Sequence, residues 1–260
     1  MNDVLKAERL RGVAHLIVSR RAVVFDCDGT LVKLTIDPVS TRKAAMDILE
    51  KHGVPRRILS INDPILLTIK KGIGYLRLRG EPSATVLSEV DRVVEVFEMK
   101  AARETSLLPG AVELLSCLRR LGFKLGLFTL NKRSVMEYIL ERFNLNGFFD
   151  AMAARDDVPA PKPDKRHLEE VFLKLSVKPR DVVVVGDHPV DALCALRAGA
   201  TPIGVLSSGR QREDFEKCGV QYVVKNVAEI LAELKCYLAL SRPHRLRVNI
   251  SETPCLADHS

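Results

Sequence analysis

The stretch Ala22-Val23-Val24-Phe25-Asp26-Cys27-Asp28-Gly29-Thr30 decides how this chain is read. Ala22–Phe25 is short, apolar and rich in β-branched residues, which predicts a buried strand. Two aspartates follow it at positions i and i+2. Alternate residues of an extended chain face the same side, so both carboxylates can reach one site. Gly29 permits a tight turn directly after them, and Thr30 adds a hydroxyl. Two close carboxylates repel each other unless a cation lies between them or one carries a proton. Mg²⁺ suits the first case, because it prefers one or two carboxylates together with phosphate oxygens and water. One nucleophile paired with one proton carrier suits the second.

Beyond this strand the chain changes character twice. Residues 38–104 read as helix with no convincing strand. After Pro109-Gly110, helix and strand alternate: helix 110–121, strand 123–129, helix 131–144, strand 148–153, helix 163–175. Strand 181–186 carries four consecutive valines, as expected when both faces of a parallel sheet are covered. Helix 189–198, strand 202–206, helix 211–218, strand 221–224 and helix 226–236 complete the series. Such alternation predicts an α/β fold, a doubly wound and mostly parallel sheet. The expected division is an N-terminal helical extension (1–20, helical over 3–17), an α/β core (21–32 and 107–236), a small helical insert (33–106) and a tail (237–260).

Composition narrows the class. The chain has 260 residues, 47% hydrophobic and 28% charged, as in ordinary globular proteins. It has no apolar run long enough to span a membrane and no signal-peptide pattern at its start, so the expectation is cytoplasmic. Six cysteines, none in a Cys-x-x-Cys pair, point to reduced thiols rather than a disulfide framework or zinc site. The net charge is +7, and residues 51–79 hold seven Lys or Arg against one acid, Asp63. Such a stretch is either a solvated helical face or an attractor of anions. Nucleic acid is not the expected partner: the chain has no Trp and only 5% aromatics for base stacking.

Three further segments carry chemistry. Thr129 and Asn131 lie at the end of the strand 123–129, where the next helix opens. A hydroxyl and the first helical amides can receive a phosphate there, although Asn131 could equally be a helix cap. Lys162, in Pro159-Ala-Pro161-Lys162-Pro163-Asp164, is aimed by flanking prolines and can neutralise phosphate charge; the bland alternative is a surface lysine. Asp187 and Asp191 occur in Gly186-Asp-His-Pro-Val-Asp191 after the valine strand. Asp187 stands where a metal ligand belongs, and Asp191 can point back from the next helix or simply favour its N-terminus. His188 is read as solvent-facing. The strand ends and the lysine loop together supply nucleophile, metal ligands and charge clamp, the parts of phosphoryl transfer.

On Asp26-Cys-Asp-Gly-Thr-Leu31, Phe128-Thr-Leu-Asn131, Pro161-Lys-Pro-Asp164 and Gly186-Asp-His-Pro-Val-Asp191, residues 21–235 resemble the haloacid dehalogenase superfamily, in its phosphoglycolate-phosphatase-like branch. The resemblance implies a Rossmann-like core with a helical cap. Asp26 would be the nucleophile forming an aspartyl-phosphate and Asp28 the general acid/base. Thr129 would bind the phosphoryl group, with Gly29, Leu130 and Asn131 around it, and Lys162 would neutralise charge. Mg²⁺ would be held by Asp26, the Asp28 carbonyl and Asp187, with Asp191 in support. Asp28 favours a phosphate ester, since dehalogenating and phosphonate-cleaving members lack an acid there. The expected substrate is a small anionic phosphomonoester (phosphoglycolate, a sugar phosphate or a nucleotide), and the expected assembly a monomer or homodimer. A phosphomutase and a non-catalytic phosphate- or nucleic-acid-binding member are the alternatives.

Overall fold

The computed structural model describes residues 12–33 and 36–240. Its centre is a six-stranded parallel sheet in the order β3-β2-β1-β4-β5-β6. The strands are β1 (Ala22–Phe25), β2 (Lys124–Phe128), β3 (Ala151–Ala153), β4 (Val182–Gly186), β5 (Thr201–Val205) and β6 (Tyr222–Val224). β1 lies in the middle, with Val23 beside Leu125 on one side and Val183 on the other. A strand flanked on both edges and covered on both faces must be apolar throughout, and β1 and β4 are buried at every position.

The two faces separate by the period of two. Val23 and Phe25, with Val183 and Val185, pack on the side of the helical residues 12–18 (α1), α5 (Ala111–Arg120), α6 (Arg133–Arg142) and α10 (Val227–Leu240). Ala22 and Val24, with Val182 and Val184, pack against α7 (Arg166–Leu175) and α8 (Pro189–Ala198). The short α9 (Arg212–Glu216) brings Phe215 against Gly204.

The insert after β1 consists of α2 (Pro38–Lys51), α3 (Ile65–Leu78) and α4 (Ser83–Glu104). Asp37 starts α2 by accepting the Val39 and Ser40 amides at 3.0 and 3.1 Å, with Pro38 at the first helical position. These helices have their own apolar cluster, including Met46, Leu49, Ile73 and Val90. Along α4 the buried face repeats every four residues: Val86, Val90, Val94, Glu98, Ala102. The first three belong to the insert's cluster and Ala102 to the main core, so one stripe of α4 passes from one to the other. Glu98 sits at the crossing. The two connecting segments are tied together: the Lys33 amide donates to Ser106 O and the Leu108 amide to Leu31 O, at 2.8 and 2.9 Å.

Several boundaries differ from the sequence reading. Helix α10 continues to Leu240, so residues 237–240 are helix rather than tail, and the Tyr237 ring lies 6.2 Å from that of His15, tilted by 58°. Strand β3 is only three residues long, because Asn146–Phe148 form a 3₁₀ turn. Helix α7 starts at Arg166 rather than 163. Of the helix expected over 3–17, residues 12–18 are seen; the remainder, and the tail beyond 240, lie outside the described residues. The described cysteines are unpaired, with Cys27, Cys117 and Cys194 buried and Cys236 exposed; Cys255 lies outside the described residues. No helix among the described residues is long and apolar enough to cross a membrane.

Close packing on β2 makes a test. A Cβ at Gly126 would stand 2.6 Å from Val171 Cγ1 and 3.1 Å from Val24 Cγ2. Gly126→Ala is therefore expected to destabilise the protein by about 1–3 kcal/mol, the usual cost of overpacking, read from denaturant midpoints. An unchanged midpoint would show that α7 does not bear on the sheet this closely.

Candidate functional site

Parallel strands deliver their C-terminal ends to one edge of the sheet, where ligands of open α/β sheets bind. Asp26 follows β1, Thr129 follows β2, Asp187 follows β4, and Ser207 and Ser208 follow β5. The Asp26 amide still donates to Val185 O at 2.8 Å, so the first aspartate is fixed by the ladder itself.

Carboxylate oxygens of Asp26, Asp187 and Asp191 all lie within 4.8 Å of one another, and all three residues are buried. Lys162 is buried among them. Its Nζ donates to Asp26 Oδ1 and, at 2.8 Å, to Asp191 Oδ1, and it stands 3.9 Å from the centre of the Phe128 ring. The surface-lysine reading is thereby excluded. Burial alone would lower the Lys162 pKa, but Asp191 and Asp26 outweigh it and raise it. The loop that carries Lys162 is pinned by His167: the Lys162 amide donates to its Nδ1 at 3.1 Å, and its Nε2 donates to Ala153 O at 3.0 Å. Burial holds that imidazole down to about 4, so it is neutral and serves as a spacer between two backbone groups.

Glycines make the close approach possible. Gly29 has φ +75°, and a Cβ there would lie 2.1 Å from Asp187 Oδ2; a Cβ at Gly186 would lie 2.5 Å from Asp191. Thr30 Oγ1 donates to Asp26 Oδ2 at 3.4 Å. Ser207 Oγ donates to Gly29 O, and Ser208 Oγ to Asp187 O at 3.4 Å.

Asp28 faces a different way from the other three. Its Oδ2 accepts from Asn131 Nδ2 at 2.5 Å. Burial pushes its carboxyl up to about 6, against the lowering effect of Asn131 and Lys162. Burial and Asp191 likewise push Asp187 up to about 6. Asp26 is raised well above the usual carboxylate range by burial, with Lys162 opposing. Four acids and one buried ammonium leave a strongly negative site that cannot stay fully ionised unaided. The residues therefore fit a hard divalent cation, with Asp26, Asp187 and Asp191 the carboxylates grouped to hold it.

The reading of the β2–α6 loop needs correction. Asn131 does not cap α6; Lys132 precedes the helix, without a side-chain cap. Three amides of this loop have partners within the fold. Asn131 N donates to Thr129 Oγ1 at 3.1 Å, Lys132 N to Glu98 Oε2 at 3.3 Å and Arg133 N to Asp156 Oδ1 at 2.9 Å. Leu130 offers its carbonyl to Arg155 Nη1 at 2.8 Å. His188 is half-buried rather than solvent-facing, and its Nδ1 accepts the Val190 amide at the start of α8. Asp191 does both things considered for it: it lies in the acid cluster and also accepts the His188 amide at 3.0 Å.

Sequence reasoning missed Glu98, Arg155, His167, Ser207 and Ser208. Glu98 and Arg155 form a buried ion pair between α4 and the segment after β3. Beside it, Lys132 Nζ and Ser134 Oγ donate to Glu95, at 3.0 and 2.5 Å. The available signals were weak: an acid on an otherwise apolar stripe for Glu98, and a strand-end position for Arg155 and the serines.

A profile of the haloacid dehalogenase-like hydrolases matches residues 20–199. The chain is 30% identical over 215 residues to a phosphoglycolate phosphatase of Caulobacter vibrioides, covering 80% of this chain and 88% of that one. It is 34% identical over 185 residues to a phosphoglycolate phosphatase of Cereibacter sphaeroides, covering 68% and 81%. Among solved structures, a hydrolase from Pseudomonas syringae superposes with a TM-score of 0.62 at 25% identity, covering 83% of this chain and 98% of that one. With that match spanning most of its length and the sheet-edge acids in place, the chain belongs to the haloacid dehalogenase-like hydrolases.

Proposed function

We propose that this protein is a Mg²⁺-dependent phosphatase that hydrolyses a small anionic phosphomonoester, such as phosphoglycolate, a sugar phosphate or a nucleotide, through an aspartyl-phosphate. The observation that carries the proposal is the different environment of the two first-strand aspartates. Asp26 lies in the acid cluster with Lys162, whereas Asp28 is turned to Asn131. In this reading Asp26 attacks phosphorus, and Lys162 beside it offsets charge on the transferring phosphoryl group. Asp28, with its carboxyl near 6, can give a proton to the leaving oxygen and then take one from water. Thr129, buried at the end of β2, is the proposed phosphate-binding hydroxyl. Bound Mg²⁺ would supply charge neutralisation and orient phosphate oxygens; Asp26, Asp187, Asp191 and the Asp28 carbonyl are its proposed ligands. The phosphatase names of the relatives support this reading. The insert 33–106 is the proposed cap, the compartment cytoplasmic, and the assembly a monomer or homodimer.

The two aspartates should separate by leaving group. Asp26→Asn is expected to abolish phosphate release from every ester. Asp28→Asn should cost about 10²–10⁴-fold on an alkyl phosphomonoester, whose oxygen needs a proton, and less on p-nitrophenyl phosphate, whose phenolate leaves unaided. Equal losses on both esters, or activity in Asp26→Asn, would contradict these roles.

Metal and protons should compete. A carboxyl raised on folding favours the folded state at low pH and loses that contribution as pH rises through its folded value. Asp28 and Asp187 should thus destabilise the metal-free protein as pH climbs from their unperturbed 3.8 to about 6. At pH 7.5, Mg²⁺ at a hundred times its Kd should restore about 2.7 kcal/mol, at about 2–4 °C of melting temperature per kcal/mol. That gain should shrink towards pH 5. A melting temperature indifferent to Mg²⁺ at pH 7.5 would contradict the proposed metal centre.

A further inference from the structure

The loop between β2 and α6 carries Asn131 to Asp28, and its backbone is held by an ion pair from elsewhere in the fold. Arg155 Nη1 donates to Leu130 O at 2.8 Å, and the Arg155 amide donates to Asn131 O at 3.0 Å. Glu98, the partner of that guanidinium, accepts the Lys132 amide at 3.3 Å. Three consecutive residues are thus fixed by two others, and the middle one aims its side chain: Asn131 Nδ2 donates to Asp28 Oδ2 at 2.5 Å. Thr129, one residue before the loop, is held by the sheet instead, its amide donating to Ala153 O at 3.1 Å.

Glu98 and Arg155 are both buried. A buried ion pair gives up hydration that its own attraction repays only in part, and an apolar pair of the same volume is often as stable. Stability is therefore a weak reason for a pair at this place. What an apolar pair could not supply is the set of directed bonds to Leu130 O and the Lys132 amide.

On the phosphatase reading, from which this inference follows, Asp28 gives the leaving oxygen its proton, and such a donor works only within hydrogen-bond reach of its target. We propose that Arg155, oriented by Glu98, is a positioning residue for that proton transfer, acting through the loop that holds Asn131 against Asp28. The consequence is selective. Attack by Asp26 and the hydroxyl of Thr129 do not depend on this loop's backbone bonds to Arg155. Loosening them should slow the reaction according to how much the leaving oxygen needs a proton.

The test compares ethyl phosphate, phenyl phosphate and p-nitrophenyl phosphate, whose leaving groups need a proton in decreasing order, on the full-length protein with Mg²⁺. The readout is kcat/KM, which covers the steps up to phosphorylation of Asp26 and leaves out the attack of water that all three esters share. In Arg155→Met, kcat/KM is expected to fall by about 10–100-fold for ethyl phosphate and by less than about threefold for p-nitrophenyl phosphate, with phenyl phosphate between them. In an Asp28→Asn background the same substitution should leave the ratio of the esters unchanged, since the donor it positions is gone. If the single variant does not fold, Glu98→Leu combined with Arg155→Met leaves no unpaired buried charge and should show the same selective loss. Equal losses on all three esters, in a variant with a native circular dichroism spectrum, would reduce the pair to a structural brace and overturn the proposal. So would a further change of the ratio in Asp28→Asn. Failure of the unaltered protein to release phosphate from these esters, from 2-phosphoglycolate and from glycerol 3-phosphate would instead remove the phosphatase reading, and the inference with it.

Discussion

A single buried ammonium, Lys162 Nζ, is held between Asp26 and Asp191 at the carboxyl edge of the sheet, and the site is organised around that contact. Burying one charge is costly unless it is paired, and here one cation faces several acids. That balance explains the local architecture. Phe128 presents its ring to the ammonium, His167 fixes the backbone that carries it, and glycines at 29 and 186 leave room for the acids to converge. The remaining negative charge is what makes the site suited to a divalent cation.

A second buried ion pair links the insert to the core. Glu98 interrupts the apolar stripe of α4 at the point where the helix leaves one cluster and enters the other, and Arg155 meets it from the segment after β3. The same glutamate accepts the Lys132 amide, so it braces the loop that aims Asn131 at Asp28. Geometry of Asp28 therefore depends on a residue of the inserted helices. A change in α4 would be felt at the chemistry through three consecutive contacts: Glu98 to the loop, the loop to Asn131, Asn131 to Asp28.

Much of this was legible in the sequence, for identifiable reasons. Val-Val-Phe followed by Asp-x-Asp, and four valines followed by Gly-Asp, are strand ends that only a covered parallel sheet accommodates well. Their order along the chain brings Asp26, Asp187 and Asp191 together without any knowledge of tertiary contacts. Lys162 was legible as an aimed cation, but not as a buried one, because its partners lie 136 and 29 residues away in the chain. Glu98 and Arg155, 57 residues apart, were illegible for the same reason. The end of α10 was misread even though Cys236-Tyr-Leu-Ala-Leu240 continues the apolar pattern with no glycine or proline to stop it. The contacts of Glu98 and Asp156 with the Lys132 and Arg133 amides were not legible, because both acids come from elsewhere in the fold.

The central claim is that Asp26 becomes phosphorylated while Asp28 handles protons. It is tested most directly by trapping. The Asp28→Asn protein is mixed with p-nitrophenyl phosphate and Mg²⁺, quenched, reduced with borohydride, which converts an acyl phosphate to an alcohol, and mapped by peptide mass spectrometry. The account predicts homoserine in place of aspartate at position 26. Reduction at another carboxylate, or a burst of p-nitrophenol with no modified peptide, would contradict it.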